Sequence, residues 1–420
     1  MRAVSFVERI ELDFSKNLLN DALALGDIDN DGGNELAVGN IEGTLSVFKG
    51  KEFSPWKKCS DLGMITCVKV GDICNSGKNF LVCLTAKGWC YIFDVKTESN
   101  EPPVSENEDD SHTSLRPTFT EYLPANSKLM LLADVDGDGR IEVVVGYSDR
   151  TVRLFRWEDI SELSEESPGH LTQIEKWQLN GQIGSITVNM SAENQPELLV
   201  AQPGGTYARL QLPSENNTAS GPESRQDVLY ESLGTSQTGN SNVYTEMLGG
   251  ICPSKFGEIS KGTYFALSTL NGSLMLVDQN SLLWSLQVDH QLFSLSKLDV
   301  TGDGTEEVVC CSWDGQTYIV NHACEAVRFQ FEENVAAFTV GFYAINPQKN
   351  VPCFVYATFN NRIYIYHNIR LPQVAATNLI EVMSKLPQTK EILQKLNIDP
   401  TDTTQLQQVY HYCLYGFKKS

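Results

Sequence analysis

The residues of this chain best suited to chemistry are three short runs of carboxylates at even spacing. Asp134, Asp136 and Asp138 alternate with small or apolar residues, Gly139 follows as a turn residue, and Glu142 stands at the ninth position. Asp27, Asp29, Asp31, Gly32 and Glu35 repeat the pattern, and Asp299, Thr301, Asp303, Gly304 and Glu307 repeat it with a hydroxyl in place of one acid. Alternate side chains on a tight loop turn their oxygens inward. With a main-chain carbonyl at the seventh position, from Gly33 or Arg140, they form the oxygen cage that a hard cation such as Ca²⁺ takes. Four acids within nine residues repel one another unless a positive charge lies among them. The pattern therefore predicts structural Ca²⁺ in the loops at Asp27 and Asp134, and weaker binding at Asp299. The alternative is a plain Asp-Gly turn in which each Asp bonds its own backbone.

The elements around these loops are strands. An EF-hand needs a bidentate Glu at the twelfth position, which here is Val145, and Val143-Val144-Val145 is β-branched strand material. A strand–loop–strand unit that recurs along a chain marks a repeat fold. Residues 22–50 parse as a strand, the acidic loop, a second strand, a Glu42-Gly43 turn and a third strand, with a fourth near Trp56-Lys57-Lys58-Cys59. The Gly-tipped hairpin returns at Lys87-Gly88, Gly204-Gly205, Asn271-Gly272 and Asp314-Gly315. Four short antiparallel strands per repeat is the makeup of a propeller blade.

The expected fold is all-β, a seven-bladed β-propeller over residues 3–370 with a short C-terminal α-helical extension over 373–415. The blades fall near 22–60, 65–123, 129–180, 183–232, 243–289, 292–332 and 336–368. The last repeat stops at its third strand, so the alternating stretch 3–14 is expected to supply the fourth and close the ring. Polar, Ser-, Glu- and Gly-rich stretches at 97–113, 158–170 and 213–241 read as flexible insertions. Three short amphipathic helices are expected after Gln373, and Leu406, Tyr410 and Leu414 of the third form a stripe suited to contact another subunit.

Composition narrows the function classes. A formal charge of −21 disfavours binding to a nucleic-acid backbone. The opening stretch MRAVSFVERIELDF lacks the apolar core of a secretory signal, and no uncharged apolar run is long enough to cross a bilayer. Eleven cysteines without CxxC spacing read as reduced thiols of a cytoplasmic protein. The six histidines are scattered, with His290 read as a buried, satisfied residue, and no nucleophile or phosphate-loop motif occurs. A scaffold is therefore favoured over two rivals, a secreted Ca²⁺-dependent adhesion or lectin propeller and a propeller hydrolase with a metal at its axis.

The repeat D-x-[DNT]-x-D-G-x-x-E followed by an apolar strand resembles the FG-GAP repeat of integrin alpha-chain propellers. Val38-Gly39-Asn40 and Val145-Gly146-Tyr147 stand where that repeat has Gly-Ala-Pro. The longer strings GDIDNDGGNELAVGN, LADVDGDGRIEVVVGYSDR, LLWSLQVDHQLFSLSKLDVTGDGTEEVV and SWDGQTYIV resemble the second type of integrin-alpha FG-GAP repeat-containing proteins. The resemblance implies a non-enzymatic subunit of the KICSTOR complex, alongside kaptin and two larger proteins. It further implies that the complex tethers a Rag GTPase-activating assembly to the lysosomal surface and restrains target-of-rapamycin signalling when nutrients are scarce. The implied location is cytoplasmic and peripheral to the lysosomal membrane.

Overall fold

Short apolar runs, cut by glycine or asparagine turns, pair into seven sheets, antiparallel but for one short edge strand, in the computed structural model. It describes residues 1–95, 114–159, 169–191, 193–210, 212, 228–233, 243–253, 262–375, 387–396, 398–399 and 402–416. Blade one shows the plan. Leu23–Gly26, Glu35–Gly39, Leu45–Phe48 and Lys57–Cys59 pair in sequence order. Its two middle strands are buried at every position, because the neighbouring blades cover both faces of the sheet. The first strands of successive blades touch one another all the way round, and that of blade seven, Val335–Asn346, returns to that of blade one. The chain is a seven-bladed β-propeller, with its first strands around the axis.

Two glycine roles hold the blades at this spacing. A Cβ at Gly39 would lie 2.4 Å from Ile65 Cγ2, so the end of one blade's second strand is bare where the next blade's first strand crosses it. Gly43, at a hairpin tip, has φ +93°, and a Cβ there would lie 2.5 Å from the Gly63 amide nitrogen. Glycine is required twice over, by conformation and by space.

The ring is closed by Arg9–Leu12, antiparallel to Ile363–His367 with Leu12 opposite Ile363. The single strand expected over 3–14 is divided in two. Arg2–Ala3 lies instead parallel to the outer strand of blade six, Ala326–Gln330. Between these stretches Phe6 packs 5.0 Å from the ring of Phe329 in blade six and 5.7 Å from that of Phe354 in blade seven. The amino-terminal stretch thus staples two blades, with an aromatic pin at the crossing.

Two insertion boundaries also differ from expectation. The strands Thr151–Asp159 and Gly169–Gln178 pair out through Glu158 opposite His170 to Asp159 opposite Gly169, so these four terminal residues of the stretch 158–170 belong to the ladder. Val228–Ser232, inside the stretch read as an insertion, is the fourth strand of blade four and pairs with Thr206–Leu210. The stretch 97–113 and most of 213–241 lie outside the described residues.

In the C-terminal region the helices Pro387–Lys395 and Thr403–Tyr415 are described, while the first expected helix lies outside the described residues. Asp402 caps the second by accepting from the amides of Thr404 and Gln405. Leu393 and Leu406 are buried, whereas Ile392, Leu396, Tyr412 and Tyr415 are exposed. Among the described residues no helix is long and apolar enough to cross a membrane. The ten described cysteines are free thiols.

Candidate functional site

Each acidic loop joins the first strand of its blade to the second, and all three are built alike. The first aspartate folds the loop back on itself. Asp27 accepts from the amides of Asp31 and Gly32 at 3.0 Å each, Asp134 from Gly137 at 2.6 Å and Gly139 at 2.9 Å, and Asp299 from Gly302 at 2.6 Å and Gly304 at 2.9 Å. The closing glutamate then reaches back across the loop. Glu35, Glu142 and Glu307 accept from the buried amides of Ile28, Val135 and Val300 at 2.9, 3.0 and 2.9 Å. Gly33 and Arg140, expected to offer carbonyls, engage through their amides, which donate to Asp31 at 2.7 Å and Asp138 at 2.8 Å.

In two of the loops the remaining carboxylate oxygens surround a cation supplied by the chain. The Lys49 ammonium lies 2.5 Å from Asp29 Oδ2, 2.7 Å from Asp31 Oδ2 and 3.1 Å from Glu35 Oε1. The Arg156 guanidinium lies 2.6 Å from Asp136 Oδ2, 2.8 Å from Glu142 Oε1 and 3.5 Å from Asp138 Oδ2. Burial alone would lower the pKa of either base, but the hydrogen bonds each donates to these carboxylates outweigh it and raise both. Burial pushes Glu35 up to about 7, against the pull of the Ile28 amide and Lys49. The acids that could hold a metal, Asp27, Asp29 and Glu35 in one loop and Asp134, Asp136 and Glu142 in the other, are thus gathered within ligand distance of one another. Yet the oxygens that would face Ca²⁺ face an ammonium or a guanidinium, so these loops as they stand do not fit the ion.

The third loop differs. Thr301 lies 3.4 Å from Asp299 and 3.5 Å from Glu307, and burial pushes Glu307 up to about 7, with Asp299 and Asp303 adding to the rise. The residue fourteen positions after Glu307 is Asn321, whose side chain serves its own turn, accepting from the amides of Ala323 and Glu325.

The loops also fasten blade to blade. Asn350 of blade seven accepts from the Asn34 amide at 2.8 Å and donates to the Gly32 carbonyl at 3.0 Å. Asn30 and Asn79 exchange hydrogen bonds between blades one and two, and Asn75 does the same with Ile141 between blades two and three. Local strand–turn chemistry makes each loop, and asparagines from neighbouring blades hold those of blades one and three in place.

A second constellation at the axis escaped the reading of motifs. Asp21, in the turn Asn20–Ala22, lies 3.5 Å from the Lys69 ammonium of blade two. Lys128 of blade three donates to the Ile183 carbonyl at 2.5 Å and sits 5.3 Å over the ring of Tyr244, whose hydroxyl is 3.1 Å from Glu246 Oε1. Burial pushes Glu246 up to about 8, with Asp21 adding to it, and lowers Lys128 against the pull of Asp21 and Glu246. A hydrolase with a central metal needs a ligand cluster here. Among the described residues the three-acid clusters lie in the acidic loops of blades one and three instead.

Trp157, Trp177 and Trp284 are buried, and Trp313 stacks on Phe293 at a hairpin tip. His290 is not a core residue. It is part-exposed and paired to Asp314 at 2.7 Å, because the acid of the neighbouring turn draws the ring to the surface. Leu406 of the expected contact stripe is buried, and the side chains of Tyr410 and Leu414 lie outside the described residues.

The profile of the integrin-alpha FG-GAP repeat-containing protein 2 family matches residues 49–371. The chain belongs to that family. A mouse relative named KICSTOR complex protein ITFG2 is 44% identical over 429 residues, covering 99% of this chain and 96% of the relative. A bovine relative of the same name is 44% identical over 399 residues, covering 92% of this chain and 75% of its own length. Among solved structures, two crystal structures of BBS1N in complex with ARL6DN, soaked with lead and with mercury, superpose with TM-scores of 0.60 and 0.61. Each covers 89% of this chain and all of the matched one at 13% identity, a likeness of fold alone. The family membership fits the acidic loops and hairpins above, with Val38-Gly39-Asn40 and Val145-Gly146-Tyr147 in place of the Gly-Ala-Pro of the named repeat.

Proposed function

We propose that this chain is a scaffold subunit of a KICSTOR-like complex and carries no catalytic activity of its own. The observation that carries the reading is 44% identity, over nearly the whole length, to a protein bearing that complex's name. The surface supports it. Ile41, Met64, Trp89, Tyr122, Trp313 and Phe359 are all exposed at hairpin tips and blade entries, the end of the ring opposite the acidic loops. Large apolar side chains gathered at one end suit protein contact. The free thiols agree with a reducing compartment and speak against a secreted lectin. In the finer reading, the complex includes kaptin, holds a Rag GTPase-activating assembly at the lysosomal surface, and restrains target-of-rapamycin signalling during nutrient deprivation.

The test is affinity purification of the tagged full-length chain beside one ending at Leu371. Kaptin should be recovered in stoichiometric amount with the full chain. Depleting the chain should release the Rag GTPase-activating assembly from lysosomal membranes and leave target-of-rapamycin signalling active in starved cells. A full-length chain that recovers no kaptin at comparable amount overturns the proposal. Loss of kaptin only from the shortened chain places the contact in the helical region.

A further inference from the structure

The acidic loops of blades one and three have the acids of a calcium loop but already hold a cation. Lys49 and Arg156 each stand fourteen residues after the closing glutamate, Arg156 on the third strand of its blade and Lys49 immediately after the third strand of its own. Val143 pairs with Phe155 and Leu36 with Phe48, so the next step along each ladder sets the base opposite the glutamate. A base placed there points into the loop mouth, among the oxygens that the second, fifth-position and closing acids leave unused by the backbone. Blade four uses the same device in altered form. Its closing acid Glu197 pairs with Arg209, which also binds Glu231 at 3.1 Å.

We infer that Lys49 and Arg156 take the place of a metal ion, offsetting part of the carboxylate charge from within the chain, so that these two loops form as inter-blade clasps without Ca²⁺. Three carboxylates gathered around one point need positive charge, and a tethered ammonium or guanidinium supplies it with no dependence on ion concentration. The same tether excludes Ca²⁺, which would have to share its oxygens with a fixed cation at contact distance. Removing the base should therefore do two things at once: weaken the clasp and open a place for the metal.

The experiment is thermal melting and calorimetric titration of the full chain with Ca²⁺ alone, at up to about 1 mM, against chelator. Wild type should melt at the same temperature in both and bind no Ca²⁺ at these loops. Lys49→Met and Arg156→Met should melt several degrees lower in chelator and recover part of the loss in Ca²⁺. Lys49→Arg should behave as wild type. A Lys49→Met chain that can be recovered folded only with Ca²⁺ present also supports the inference. A wild-type shift with Ca²⁺ that Asp134→Asn or Asp27→Asn abolishes overturns it, and that result does not depend on any base variant folding. Equal stability of Lys49→Met and wild type in chelator, or equal loss with and without Ca²⁺, overturns it too.

Discussion

Leu12 is the residue through which the closing strand can be tested most sharply. It is 1% exposed and packs in one core cluster with Leu36, Phe48, Tyr343 and Ile363, residues of blades one and seven. Leu12→Ala removes three carbons, worth about 2.4 kcal/mol at ~0.8 kcal/mol per buried methylene. A residual void of roughly 40 Å³ adds ~1 kcal/mol, so the loss is about 3 kcal/mol. With an unfolding entropy of ~2.1 cal/mol/K per residue, a cooperative unit of roughly 370 residues has ~0.8 kcal/mol/K, and the melting temperature should fall by about 4 °C. The matched control is Glu11→Ala, one position along the same strand. Glu11 is exposed and pairs at 3.3 Å with Arg362, itself largely exposed, so its loss should move the melt by less than about 1 °C. Both variants keep the backbone ladder to Ile363–His367, so their difference isolates the core face of the strand. If Leu12→Ala melts with Glu11→Ala and wild type, the amino-terminal strand does not share the fate of the ring, and the closure argument fails.

Two further outcomes follow from particular side chains. Glu246 is raised to about 8 in the fold, so folding takes up a proton between its unfolded value and that pH, and its contribution to stability falls as pH rises through that window. Glu246→Gln should therefore flatten the decline in unfolding free energy, read from urea titrations, between about pH 5 and 8, by on the order of a few kcal/mol in total, and parallel profiles for the two proteins would refute the assignment. Gly43→Ala should cost clearly more than Gly77→Ala in the same urea assay. Both glycines have positive φ, worth about 1 kcal/mol, but only at Gly43 would the new Cβ meet backbone, 2.5 Å from Gly63 N, and equal losses would refute the docking of that tip.

The ring was legible in the sequence because its signals are local. Glycines at hairpin tips, such as Gly43 and Gly315, sit between short apolar runs, and the missing fourth strand of the last repeat pointed to the amino terminus. What escaped has nonlocal causes. The break in the amino-terminal strand depends on Phe6 finding Phe329 and Phe354 in two different blades. Val228–Ser232 ends the blade expected at 183–232, yet its polar flanks also placed it in the stretch 213–241 read as an insertion, and only its pairing with Thr206–Leu210 separates the two. Lys69, Lys128 and Glu246 meet Asp21 only because four separate blades bring their inner edges to one axis.

The acidic loops show the limit most clearly. Asp134, Asp136, Asp138 and Glu142 state that a positive charge is needed, but nothing in those nine residues says which one arrives. The answer lies outside the motif, at Arg156, and becomes visible only once a strand pairing turns a spacing of fourteen into a contact of 2.8 Å. Asn321 at the same spacing in blade six shows that the position is free to vary while the loop's backbone bonds stay the same, since Val300 still donates to Glu307 as Val135 does to Glu142. The fold of the loop and the identity of its counter-charge are thus separate properties. The first is set by Asp, Gly and Glu within the loop, and the second by one residue on the third strand or immediately after it. A carboxylate pattern in a propeller repeat should therefore be read together with the residue that its closing glutamate meets across the sheet.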